Sequence, residues 1–142
     1  MKEIFIPGNV PSLKNSKIKT SRGIFPSKTV KNYLNSLGIQ SYSASKKEVK
    51  GYKTRPNLFL ELFKDVKIEK YPIIISFHFV RDSKRGFDFN NANQIILDLL
   101  TAHGIIKDDN MDYIIPECMW IDNKQYSYNK EKPGVYVLFK SV

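Results

Sequence analysis

The stretch "YPIIISFHFVRDSKRGFDFNNANQIILDLLTA", residues 71–102, decides how this chain folds. Its first ten residues form a near-continuous apolar run. Ile73, Ile75, Phe77 and Phe79 would share one face of a strand, and Ile74, Ser76, His78 and Val80 the other. A β-branched and aromatic run of this length reads as a central strand covered on both sides. A lone His78 in such a strand is more often a satisfied core or edge residue than a ligand. The period then changes. After the basic loop "RDSKRGFD", Ile95, Ile96, Leu99 and Leu100 recur at helical spacing and give a buried stripe. Asn91, Gln94 and Asp98 fall together on the opposite, polar face. The helix ends at "HG", where Gly104 suits the left-handed C′ position.

Outward from this unit the pattern stays mixed. "KEIFIPG" reads as a short first strand stopped by Pro7 and Gly8, followed by a polar loop, "NVPSLKNSK". "IKTSRGIFPS" suits a small hairpin with Arg22 and Gly23 at its turn. Val30, Tyr33, Leu34 and Leu37 predict a helix capped by Ser27. Residues 41–56, "SYSASKKEVKGYKTRP", read as a mobile connection, and "NLFLELF" is ambiguous. "YIIPECMWI" reads as a strand interrupted by Pro116, and "GVYVLFKSV" as a closing alternating strand. The expected fold is α+β: one domain, residues 1–142, with a small mixed β-sheet packed by two main helices.

Length and composition narrow the class. A chain of 142 residues, 42% hydrophobic and 26% charged, can bury a sizeable core in one domain. No apolar run reaches the roughly 18 residues of a membrane span, and the opening "MKEIFIPGNVPS" is too weakly apolar for a signal peptide. Cys118 is the single cysteine, so no internal disulfide or cysteine-based zinc site can form, and a reducing cytoplasm is the expected compartment. "GNVPSLKNS" lacks the glycine spacing of a phosphate-binding loop, which disfavours nucleotide hydrolysis.

The formal net charge of +9 is unevenly placed. No acid occurs between Glu3 and Glu48, an interval holding Lys14, Lys17, Lys19, Arg22, Lys28, Lys31, Lys46 and Lys47. From Asp82 to Asp122 the balance reverses, with eight acids against Lys84, Arg85 and Lys107. A basic half suits a polyanion, because each neutralised phosphate releases condensed counterions. An acidic cluster repels that polyanion unless a cation lies between them, and a divalent ion would serve. Spacing alone leaves a second reading open, in which these acids are a solvated surface.

The segment "RDSKRGFDFNNANQIILDLLTAHGIIKDDNMDYIIP", residues 81–116, resembles the core motif of the RusA-type Holliday-junction resolvases. There a basic loop leads to an Asp-x-Asp-Asn motif, a helix carrying a further Asp, and a turn with paired acids. "IPGNVPSLKNS", residues 6–16, is similar to that family's opening strand and Pro-Ser loop. The resemblance implies a small homodimeric endonuclease, dependent on magnesium (or manganese), that cuts paired strands at four-way DNA junctions. By position it makes Asp88 the first motif acid and Asp109 the later catalytic acid, with Asp108 beside it as a further metal ligand. Asn91 matches the motif Asn, and Asp98 the helical Asp. Arg81, Lys84 and Arg85 would meet phosphates, joined by Lys14, Lys17 and Lys107.

Two positions depart from the motif. Asn90 stands where the second catalytic Asp belongs, which removes a negative charge from a hard-cation site. Gln94 replaces a helical Lys, which removes a cation from the reaction centre. Asp108 or Asp112 could take over the acid role, and Lys107 that of the cation. The substitutions also admit a junction- or DNA-binding protein that has lost cleavage. A basic interaction protein without enzymatic activity is the third reading.

Overall fold

The computed structural model describes residues 3–12, 17–51 and 56–142; the side chains of 17–20 and 24–25 are outside that description. The central strand is the one expected. It spans Ile73–Arg81 and is buried along its whole length except at half-buried Ile74. We number the strands in chain order: β1 (Ile4–Pro7), β2 (Lys17–Thr20), β3 (Gly23–Pro26), β4 (Ile39–Ser43), β5 (Glu48–Gly51), β6 (Ile73–Arg81), β7 (Ile114–Cys118), β8 (Ser127–Tyr128) and β9 (Gly134–Ser141). The helices are α1 (Lys28–Ser36), α2 (Leu58–Leu62) and α3 (Phe89–Ala102).

The main sheet runs β1-β9-β6-β7, and β8 also pairs with β6. β9 is antiparallel to β6, with Phe77 opposite Val137, and β7 is parallel to it, with Ile75 opposite Pro116. Parallel strands need a crossover, and α3 provides it between β6 and β7. Ile75, Phe77 and Phe79 join Val135, Val137, Phe139, Ile96 and Leu99 in one core. The other face of β6 is sealed by polar partners. Ser76 donates to Glu117 Oε1 at 2.6 Å. His78 Nδ1–H donates to the Met119 carbonyl at 2.8 Å, and Nε2 lies 2.7 Å from Ser127 Oγ. His78 is therefore a fully buried tie between β6 and the 119–127 segment.

The structure bears out several local expectations. Ser27 caps α1 by accepting from Val30 N–H at 3.3 Å. Gly104 has φ 72° and closes α3 with paired bonds, Gly104 N–H to Thr101 O and Ile105 N–H to Leu100 O, each 3.0 Å. Residues 17–26 form the β2–β3 hairpin.

Two expectations need correction, and one ambiguous segment is resolved. Residues 41–56 are not a mobile connection as far as they are described: 39–51 fold into the β4–β5 hairpin. Tyr42 and Val49 face each other across it and pack against the core, and with the buried Ile39 at its base they anchor it despite the polar residues around them. The two main helices are α1 and α3, and the ambiguous "NLFLELF" forms a third, the five-residue α2, among the described residues, with Asn57 as its cap and Phe59 buried. Pro116 does not interrupt its strand. β7 pairs only with β6, so one side of its backbone is free of ladder bonds, and an edge strand accepts a proline there. Among the described residues no helix is long and apolar enough to cross a membrane.

Candidate active site

Asp88 is held by the residues on either side of it. Phe87 and Phe89 both pack edge-on against Phe79, with centroid separations of 5.7 Å, so the intervening residue turns outward. Asp88 becomes the N-cap of α3, its Oδ1 accepting from Asn91 N–H at 3.2 Å. The exposed Asn90 lies on the first turn, four residues before Gln94 and eight before Asp98, so all three share one helix face.

The centre of the site is Gln94. Its Nε2 donates to Asp98 Oδ1 at 2.8 Å and to Asp109 Oδ2 at 2.7 Å. One side-chain amide thus spends both its hydrogens on two carboxylates from different elements. A crossover helix carries the following loop to the far end of the sheet, about 21 Å along for 14 residues. The loop nevertheless turns back. Ile106 is buried and its N–H bonds Leu100 O, which lays residues 105–109 beside the helix. Asp108 stabilises that turn, its Oδ1 accepting from Asp109 N–H at 2.8 Å and its Oδ2 from Asn110 Nδ2 at 3.4 Å. The Asp109 carboxylate is left to face α3.

A cleft of about 430 Å³ opens beside this pair, lined by Asp98, Thr101, Asp108 and Asp109 on one side and Ala44, Ser45 and Lys47 on the other. The second wall is the β4–β5 turn. Tyr42 stands near Asp98, and its hydroxyl is pushed up to about 12, first by burial and then by the Asp98 charge. It keeps its proton at neutral pH.

The structure thus joins Gln94, Asp98 and Asp109, with Asp108 alongside. Asp88 is set apart from them by six residues of helix, about 9 Å of rise to Gln94. Asp112 is exposed and does not line the cleft. Lys107 is turned elsewhere, its ammonium 5.6 Å from the Tyr71 ring centroid. Lys84 stands 5.5 Å from the Tyr128 ring, and Arg85 is exposed. Lys14 lies outside the described residues; Lys17 opens β2, and its side chain is likewise outside the description.

Arg81 serves a different end from the lysines. It is 8% exposed, and burial pushes its guanidinium pKa down. It donates to Val10 O and to Ser12 Oγ and stacks 4.5 Å over the Phe87 ring. Asn91 Nδ2 donates to Ser12 O at 3.3 Å, and Asp82 N–H to Asn9 Oδ1 at 3.0 Å. Residues 9–12 are thereby fastened to the end of β6 and the first turn of α3. The described part of the segment 6–16, up to residue 12, thus lies beside the segment 81–116.

Among the described residues, no group of three His, Cys, Asp or Glu side chains is placed to hold a metal ion. The donors at Gln94 are two hard carboxylates with a third beside them. They fit a magnesium ion that keeps most of its water and is held through one or two carboxylates, not a closed protein cage. Sequence reading missed the hairpin wall with Tyr42 and Lys47; the available signal was the Tyr42/Val49 alternation around "SASKK". It also valued Gln94 only as a lost lysine, whereas the amide is what gathers the acids. No protein-family model, no curated protein and no solved structure matches this chain.

Proposed function

We propose that this chain is a divalent-metal-dependent endonuclease of branched DNA, cutting phosphodiesters at four-way junctions as a homodimer in the reducing cytoplasm. The observation that carries the reading is the Gln94 amide, which draws Asp98 of the helix and Asp109 of the turn into one cleft. A protein of net charge +9 attracts DNA, yet the cleft wall presents three carboxylates to the phosphates it attracts. A divalent cation between them reconciles the two. What magnesium or manganese supplies when bound is polarisation of the phosphate and a more acidic water.

The chain's own residues do the rest. Gln94 aligns the two carboxylates, and Asp108 holds the turn that presents Asp109. Lys84 and Arg85 reach outward to phosphates on the flanking arm. Arg81 braces the loop that leads to the basic β2–β3 hairpin. Asp88, exposed at the head of the helix and set apart from the cleft, adds a carboxylate at the N-terminal end of α3. Two-fold symmetry would set equivalent clefts against equivalent strands of a junction.

A second reading rests on the same amide. Gln94 satisfies both carboxylates without an ion, and Asn90 lacks the charge of an acid, which suits a protein that holds junctions without cutting them. An end-labelled four-way junction separates the two. Nicking in magnesium or manganese that is lost in Asp109→Asn supports the nuclease. Tight, metal-independent binding without nicks supports the second reading, especially if Asn90→Asp confers cutting. Weak binding that ignores branch structure and collapses with salt sinks both.

A further inference from the structure

The hairpin wall of the cleft raises a question that the carboxylates do not. Lys47 lines the same cleft as Asp98, Asp108 and Asp109, yet among the described residues it forms no ion pair. The turn that carries it is well formed. Lys46 N–H bonds Ser43 Oγ and Lys47 N–H bonds Ala44 O, each at 3.3 Å. Lys47 itself sits at φ 54°, a left-handed conformation that L-residues seldom adopt. Tyr42 and Val49 anchor the hairpin to the core behind it. Lys47 is therefore carried on a built wall of the cleft that three carboxylates also line, with no ion pair to any of them.

We propose that Lys47 is a phosphate-positioning residue of this cleft, contacting a non-bridging oxygen of a DNA phosphate from the side opposite the acids. The inference rests on the nuclease reading for its consequence in catalysis, but the contact itself is a separate claim. Among the described residues that line the cleft, Lys47 is the one cation, and it stands on the wall across from the carboxylates, where it can attract a phosphate oxygen. Volume is compatible, since about 430 Å³ falls in the range of sites that enclose a small ligand. Charge-assisted bonds to phosphate are strong enough to orient it.

The test uses the full chain with Lys47→Gln, Lys47→Arg and a control, Lys50→Gln. Lys50 is an exposed residue of β5 that does not line the cleft. In single-turnover nicking of a four-way junction, Lys47→Gln should lower the rate about tenfold while changing Kd less than about threefold. Lys47→Arg should recover part of the rate, and Lys50→Gln should match the parent. Amine acetylation read by mass spectrometry gives the second readout. Junction added with magnesium, and quenched within the first turnover, should protect Lys47 about fivefold more than Lys50, with protection lost at high salt. Equal rates for Lys47→Gln and the parent, or equal losses for Lys47→Gln and Lys50→Gln, overturn the role of Lys47. If the parent does not nick at all, the nuclease reading fails and the acetylation result alone decides the contact: unprotected Lys47 in bound protein overturns it.

Discussion

Replacing Gln94 by Glu is the sharpest perturbation of the site, because it keeps the shape and turns a shared donor into a third acceptor. Two hydrogen bonds are lost, at 2.8 Å to Asp98 and 2.7 Å to Asp109. At this exposed position each is worth about 0.5–1 kcal/mol after solvent screening. If the new carboxylate kept the amide's place, each oxygen pair near 3 Å would repel by about 1.4 kcal/mol even at the dielectric of water. The side chain can swing away, so the net cost should be about 1.5–3 kcal/mol. For a domain of this size that lowers Tm by about 5–10 °C. Thermal melts in EDTA should rank the parent above Gln94→Ala, and Gln94→Ala above Gln94→Glu. A divalent ion neutralises what the third carboxylate adds, so magnesium should raise the Tm of Gln94→Glu more than that of the parent. If Gln94→Glu is as stable as Gln94→Ala in EDTA, or gains no more from magnesium than the parent, the three groups do not meet as described.

Other expectations follow from single contacts. Gly38 has φ 75°, and a Cβ there would lie 2.2 Å from Pro56 O, whereas Gly104, at φ 72°, has open space around it. Gly104→Ala should cost about 1 kcal/mol and Gly38→Ala at least about 3 kcal/mol by denaturant titration; equal costs would refute the Pro56 contact. Arg81→Met should lose about 2–4 kcal/mol and speed amide exchange in residues 9–12. Lys84→Ala should leave stability within about 0.5 kcal/mol and reduce the salt dependence of DNA binding by about one phosphate; the reverse pattern would exchange their roles. His103 donates from Nδ1 to Leu99 O and accepts at Nε2 from Asn57 Nδ2, and burial pushes its pKa below the ordinary histidine value. The unfolded chain then binds the proton more readily, so this contribution is complete above the unfolded pKa, about 6.5, and is lost as pH falls toward the folded value. His103→Gln should flatten the stability–pH profile across that window, and an unchanged slope would contradict the assignment.

How much of this was legible in the sequence depended on whether a signal was local. The β6 run and the α3 stripe were readable because each contains its own period, and the Ser27 and Gly104 caps because one residue type satisfies one geometry. The β4–β5 hairpin was not, since beyond Ile39 at its base its apolar anchors are Tyr42 and Val49, and the six residues between them are mostly Ser and Lys. Pro116 misled because whether a strand lies at an edge is a property of the sheet, not of the segment. Asp98 and Asp109 were identifiable as candidates, but their meeting depends on Ile106 burying and turning the loop back along α3. Arg81 read as one more loop cation. That it fastens residues 9–12 follows from a contact across 71 positions, which no local pattern carries.

The central claim is that the acids gathered by Gln94 receive a divalent ion. Crystals of the full chain soaked in manganese, measured at its absorption edge, would locate that ion directly. The account predicts one anomalous peak in the α3 cleft, bonded at about 2.0–2.3 Å to carboxylate oxygens of Asp109 and Asp98 and completed by water. No peak there at saturating manganese, with the Gln94 amide still bridging both carboxylates, would contradict it.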